Sequence, residues 1–171
     1  MKYRHLGNSG LEVSVIGLGT NNFGGRMEFK EAREVIFSAL DQGINLIDTA
    51  NIYSHGRSEE IIGRALTDRR QESLIATKFG MVWEDGPHGH GGSRKHIMDS
   101  LEGSLRRLQT DHVDLYQMHQ QDPDTPIEET LRALDDAVSS GKVRYIGLSN
   151  FDPWRIADAQ WTAIHHGFTP F

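Results

Sequence analysis

Residues 113–149 read VDLYQMHQQDPDTPIEETLRALDDAVSSGKVRYIGLS. The stretch begins and ends on apolar runs of strand length, Val113 to Gln120 and Val143 to Ser149, with a punctuated helical pattern between them. Thr125 and Glu128 have the spacing of a capping box, Pro126 stands at the expected first helical position, and Gly141 follows the expected end. Ile127, Leu131, Leu134 and Val138 form the predicted buried stripe. Both flanking runs are apolar through most of their length, as in parallel strands covered on two faces. The unit is strand, helix, parallel strand.

The same unit recurs on the amino-terminal side. Val13 to Thr20, Ile44 to Ala50 and Ser73 to Phe79 are further strand-like runs. The helices between them are marked by Ala32, Val35, Ile36, Ala39 and Leu40, by Ile61, Ile62, Ala65 and Leu66, and by Ile97, Leu101, Leu105 and Leu108. Ser58 and Ser93 are the expected N-caps of the second and third helices, and Asp152-Pro153 opens a fifth. Asn8-Ser9-Gly10 between short alternating segments predicts a small amino-terminal hairpin. Strand centres at residues 16, 47, 76, 117 and 146 are separated by 31, 29, 41 and 29 residues. The long interval holds a glycine-rich loop, Gly80 to Gly92. Repeats of this length leave a doubly wound sheet or a (β/α)₈ barrel. Asn22 stands where the third glycine of G-x-G-x-x-G would fall after Gly17-x-Gly19, which favours the barrel.

The 171 residues include no cysteine, which removes disulfide frameworks, thiolate zinc sites and cysteine nucleophiles. Eighteen basic against 24 acidic side chains, a net charge of −6, provide no broad cationic field for nucleic acid. No apolar run approaches the length of a bilayer span. The expectation is a soluble, cytoplasmic protein with no nucleic-acid or membrane partner.

Polar residues gather where the strand runs end: Asp48, Lys78, His119 and Ser149-Asn150, with Tyr53 on the loop after Asp48. In a parallel barrel these ends converge on one mouth. Singly, each residue has an ordinary structural role: Asp48 as a loop cap, Tyr53 in packing, Lys78 snorkelling, His119 in the core, Ser149-Asn150 at a helix entry. Together they suit protonation of an oxyanion. An ammonium beside a phenol favours the phenolate, a carboxylate keeps the ammonium charged, and a neutral imidazole can hydrogen-bond a carbonyl oxygen. The set contains no metal cage, and a hydride would have to come from a cofactor. His88-x-His90 near His96 lies among glycines and reads as a polar loop rather than a metal site. Trp83 in that loop is either a substrate-pocket wall or an exposed loop aromatic.

Gly17-Leu18-Gly19-Thr20, Asn45-Leu46-Ile47-Asp48-Thr49-Ala50 with Tyr53, Gly56-x-Ser58-Glu59 with Gly63, Thr77-Lys78, Asp114-Leu115-Tyr116 with His119, and the run from Gly141 through Ser149-Asn150-Phe151 resemble, in that order, the aldo-keto reductases. The resemblance covers essentially the whole chain. It implies an α/β fold, a (β/α)₈ TIM barrel here truncated after the fifth βα unit and preceded by a hairpin, with residues 1–171 forming one partial domain. It implies hydride transfer from NADPH to a small aldehyde or ketone without metal. Tyr53 would be the general acid, Lys78 and Asp48 its tuning pair, and His119 the residue that orients the carbonyl. Thr20, Asn21, Asp48, Ser149 and Asn150 would lie against the cofactor. Another repeat interval puts a sixth strand near residues 175 to 177, beyond Phe171, and the resemblance assigns the remaining cofactor contacts to later segments. Three readings follow: a reductase that continues past this chain, a non-catalytic relative that binds a partner or itself through an open sheet edge, and, less favoured, an unrelated barrel hydrolase.

Overall fold

The computed structural model describes residues 1–171. An antiparallel hairpin of β1 (Tyr3–His5) and β2 (Glu12–Ser14) precedes a parallel sheet of β3 (Leu18–Gly19), β4 (Leu46–Asp48), β5 (Leu74–Phe79), β6 (Val113–Met118) and β7 (Val143–Leu148). The intervening helices are α1 (Phe29–Asp41), α2 (Arg57–Ala65), α3 (Arg94–Leu108) and α4 (Ile127–Ser139), and α5 (Pro153–His166) follows β7. Strands consecutive in sequence are adjacent in the sheet. Each βα unit therefore adds a strand to the same edge, as a barrel grows, whereas a doubly wound sheet reverses at a switch point. No helix is long and apolar enough to cross a membrane.

Register and the two-residue period of a strand sort the side chains by face. Asp48 is opposite Ala76, Lys78 opposite Gln117, and Gln117 opposite Gly147. Asp48, Lys78, His119 and Ser149 thus project toward one face of the sheet. Ile47, Ile75, Thr77, Phe79, Tyr116, Met118 and Ile146 project to the other, where all are buried. Their helical partners include Ile36, Leu40, Ile62, Leu101, Leu108 and Leu134, giving one continuous core between sheet and helices. On the first face, Leu46, Leu74, Leu115 and Tyr145 are only half-buried.

Several local expectations change. The run Val13 to Thr20 is two elements: Asn45 Oδ1 accepts from the Ser14 amide at 2.8 Å, and the Ser14 hydroxyl donates to the Ile16 carbonyl at 2.6 Å, so the chain turns and the barrel strand shrinks to Leu18–Gly19. Gly56, not Ser58, stands at the N-cap of α2. Thr125 forms no capping box; its hydroxyl donates to Asp122 at 2.7 Å, and α4 begins one residue after Pro126 takes the N-cap position. Burial alone would raise the Asp122 carboxyl, but bonds from the Gly92 amide, the Thr125 hydroxyl and the Asp124 amide hold it below the usual range. A charged acceptor with three donors outcompetes a helix terminus for one hydroxyl. The buried side of α4 is Thr130, Leu131, Ala133, Leu134 and Ala137, with Ile127 and Val138 half-buried at its edges. Ser93 does cap α3, accepting from the His96 amide.

Gly63 marks the closest approach of α2 to α3. A Cβ there would fall 2.5 Å from the Arg107 carbonyl oxygen and 2.5 Å from the Leu108 carbonyl carbon, neither of which can swing aside. Glycine to alanine inside a helix ordinarily gains about 1 kcal/mol. Here the overlap outweighs that gain, and Gly63→Ala should lower the unfolding free energy by about 1–3 kcal/mol in urea titrations.

His96 is buried, its Nδ1 2.9 Å from the His88 carbonyl oxygen and its Nε2 3.2 Å from the Ser100 hydroxyl. Burial pushes its pKa below the ordinary imidazole value of about 6.5. Between those two values the unfolded chain binds the extra proton, so this contribution to stability is present above about pH 6.5 and is lost as the pH falls toward the folded value. Wild-type stability should decline from pH 7.5 to 5.5, and the decline should be smaller in His96→Gln, as read from urea midpoints at each pH.

Candidate active site

Lys78 approaches the end of β5 with its side chain 7% exposed. Its ammonium donates to Asp48 Oδ1 at 2.7 Å, to Asp48 Oδ2 at 2.8 Å and to the Thr49 carbonyl at 2.8 Å, which uses all three donors. Asp48 ends β4 and is 38% exposed in its side chain, so the pair is buried on the lysine side and open on the carboxylate side. Backbone bonds from Thr49 N to Ala76 O and from Asn51 N to Lys78 O continue the pairing past the strand ends. They carry the chain across the mouth to Tyr53.

Tyr53 begins a tight turn, Tyr53–Gly56, and is half-buried. Its ring centroid lies 5.2 Å from the Lys78 ammonium and 5.8 Å from the His119 ring, the two rings meeting edge to face at 78°. Ser54, His55 and Gly56 follow with φ of 48°, 53° and 86°. Glycine accepts this region freely, but each of the other two costs of order 1–3 kcal/mol and persists only where its surroundings enforce it.

His119 stands just beyond β6, its amide bonded to the Phe79 carbonyl at 2.8 Å. Its Nδ1 is buried and finds no protein partner. Burial, and secondarily the Lys78 charge, push its pKa down against the opposing pull of Asp48. The ring is therefore neutral at pH 7, with one nitrogen available to donate. Asp48, Lys78 and His119 stand at the ends of three adjacent strands, and the turn after β4 brings Tyr53 beside the last two.

The remaining sequence candidates lie around this group in different states. The Asn150 amide donates to the His119 carbonyl at 2.8 Å and to Ser149 Oγ at 3.0 Å, with Asn150 itself at φ 55°. These bonds leave the Ser149 hydroxyl proton and Asn150 Oδ1 as a donor and an acceptor on adjacent residues. Thr20 is 1% exposed, and its hydroxyl donates to the Asp48 carbonyl at 2.9 Å. Its side chain therefore braces the β4 end. Asn21 next to it is exposed.

Two buried groups beneath the site escaped the sequence reading. Ser58 meets the hydroxyls of Thr20 and Thr49, each at 2.9 Å. Glu59 is fully buried, accepting from the Thr77 hydroxyl at 2.5 Å and from Arg107 Nε at 2.7 Å. In sequence Glu59 is an ordinary first-turn acid; only its neighbour Ser58 in the Gly56-x-Ser58-Glu59 segment hinted at more.

Comparison with known proteins places the chain in a family. The model of the "Aldo/keto reductase family" matches residues 15–170. Aldo-keto reductase YhdN of Bacillus subtilis is 45% identical over 88% of this chain and 47% of its own length. L-glyceraldehyde 3-phosphate reductase of Escherichia coli is 41% identical over 91% of this chain and 47% of its own. The solved holo form of aldo-keto reductase AKR11C1 from Bacillus halodurans superposes with a TM-score of 0.86 at 40% identity, covering 95% of this chain and 54% of that one. The chain spans about half the length of the curated relatives it matches. It is, by the extent of that match and the barrel-type order of its strands, a member of the aldo/keto reductase family.

Proposed function

We propose that this chain carries the proton-handling side of an NADPH-dependent reduction of a small aldehyde or ketone, with Tyr53 as general acid. The observation that supports this most directly is the Lys78 ammonium, locked between Asp48 and Thr49 and 5.2 Å from the Tyr53 ring. The ammonium stabilises the phenolate left as the proton is delivered, and the carboxylate holds the ammonium in position. Tyr53 delivers its proton to the carbonyl oxygen. Neutral His119 donates a hydrogen bond to the same oxygen and holds the carbonyl toward the phenol. NADPH, when bound, supplies the hydride that reaches the carbonyl carbon, so that the product is an alcohol.

Ser149 and Asn150 would hold the carboxamide of the nicotinamide through the donor and acceptor they leave free. Asn21 would flank the cofactor at the β3 end; Thr20, buried and bonded to the Asp48 carbonyl, would support that end from beneath. The preference for NADPH over NADH rests on the family resemblance. The substrate is read only as a small carbonyl compound. Among the relatives, the Escherichia coli protein is named for a phosphorylated aldehyde.

Tyr53→Phe should lower the rate of NADPH oxidation in the presence of an aromatic aldehyde by about 10²–10⁴-fold, with far-UV circular dichroism unchanged. Undiminished turnover in that variant would refute the assigned acid. If the wild-type chain folds and oxidises no NADPH with any carbonyl offered, the activity does not reside in this chain by itself and the non-catalytic reading gains.

A further inference from the structure

We infer that His55, Trp83 and Arg107 form a clamp that sets the position of Tyr53, which makes them positioning residues for the proposed reduction. The functional consequence rests on Tyr53 being the proton donor; the clamp itself does not.

The need for a clamp comes from the backbone. Two non-glycine residues in succession, Ser54 and His55, hold left-handed φ directly after the tyrosine. Nothing in their own chemistry prefers that conformation strongly enough, so neighbouring structure must impose it. The His55 ring lies flat on Trp83, centroids 4.3 Å apart and planes within 6°. Trp83 belongs to the Gly80–Gly92 loop, where its amide donates to the Gly89 carbonyl at 2.9 Å and the Gly91 amide returns to the Gly80 carbonyl at 3.0 Å. The loop is thus closed on itself and presents a fixed indole.

The indole is held in turn. The Arg107 guanidinium sits 4.7 Å from its centroid, within cation–π range. Gly56 is pressed into the same place: a Cβ there would come 2.7 Å from Arg107 Cδ and 3.2 Å from Trp83 Cη2. Arg107 is anchored by buried Glu59, whose other oxygen takes the hydroxyl of Thr77, the residue before Lys78. A closed circuit results: Lys78 to Thr77 by the chain, then Glu59, Arg107, Trp83 and His55, and back to Tyr53 by the chain. The circuit ties the phenol to the strand that supplies its ammonium. Trp83 is half-buried, with its ring engaged by His55 and Arg107.

Loss of the stack frees a residue two positions from the phenol. A displacement of about 1 Å at a reacting group can cost up to about 100-fold in rate. His55→Asn is the suitable deletion, since asparagine tolerates left-handed φ and His55 is exposed, so the ring is removed with little added strain. His55→Phe keeps an aromatic face, and Trp83→Ala and Trp83→Phe form the matching pair.

The decisive readout is fluorine NMR of the chain labelled with fluorotyrosine, with the Tyr53 resonance assigned through Tyr53→Phe. The expected result is that His55→Asn and Trp83→Ala shift and broaden the Tyr53 resonance, leave those of Tyr3, Tyr116 and Tyr145 in place, and that both phenylalanine variants return it toward the wild-type position. Where turnover is measurable, kcat should fall about 10–100-fold with KM changed less than about twofold. A Tyr53 resonance unmoved in both deletions overturns the clamp. If Trp83→Ala collapses all four resonances, His55→Asn decides, and collapse there too overturns a local positioning role. If the two deletions move the Tyr53 resonance while the wild-type chain shows no turnover, the clamp stands and activity of this chain by itself is refuted; wild-type turnover with a Tyr53 resonance unmoved in both deletions does the reverse.

Discussion

An ammonium nine-tenths removed from water must be surrounded by acceptors or the fold that buries it does not form. Lys78 meets this condition with three, both carboxylate oxygens of Asp48 and the carbonyl of Thr49, all from the end of one neighbouring strand. That requirement draws the β4 end against β5 and keeps the chain extended past the strand as far as Asn51, whose amide bonds Lys78's own carbonyl. Tyr53 then leaves from a fixed point. On the other side, Thr20 bonds the Asp48 carbonyl through both its amide and its hydroxyl, so β3 is fitted to the same residue.

The barrel order converts this local arrangement into a site. Because each strand adds to the same edge, the ends of β4, β5 and β6 are consecutive, and the four side chains of the candidate tetrad need no contribution from distant segments. The candidate tetrad thereby stands next to Ser149 and Asn150, which follow β7, the next strand along the sheet. Beneath the strand ends, Thr20, Thr49 and Ser58 form one hydrogen-bonded group and Thr77, Glu59 and Arg107 another, which rigidifies this layer. The strained Tyr53–Gly56 turn adjoins this layer, with two left-handed non-glycine residues directly after Tyr53.

Much of the fold was legible because its signals are local. Ile97, Leu101, Leu105 and Leu108 repeat at helical spacing and are all buried; Gly141 and Pro153 punctuate where expected. The errors came where two local rules competed with a distant partner. Thr125 is a good cap in isolation, yet Asp122, already gathering the Gly92 amide from another loop, takes its hydroxyl. Ser58 likewise reads as a cap and instead turns inward to Thr20, 38 residues away. The predicted stripe of α4 keeps Leu131 and Leu134 buried, while the small side chains of Ala133 and Ala137 are buried beside them and Ile127 and Val138 stand half-buried at its edges.

By itself the sequence determined the element types, the βα repeat and the family, since period, punctuation and motif order are properties of neighbouring residues along the chain. It also placed Asp48, Lys78 and His119 at strand ends, because a strand's end can be located from its apolar run. Only the tertiary structure decided that Glu59, Thr77 and Arg107 form one buried group and that Trp83 rests on His55 rather than standing free. Those contacts join residues 18 to 48 positions apart and are created by strand register and helix packing, so no local pattern encodes them.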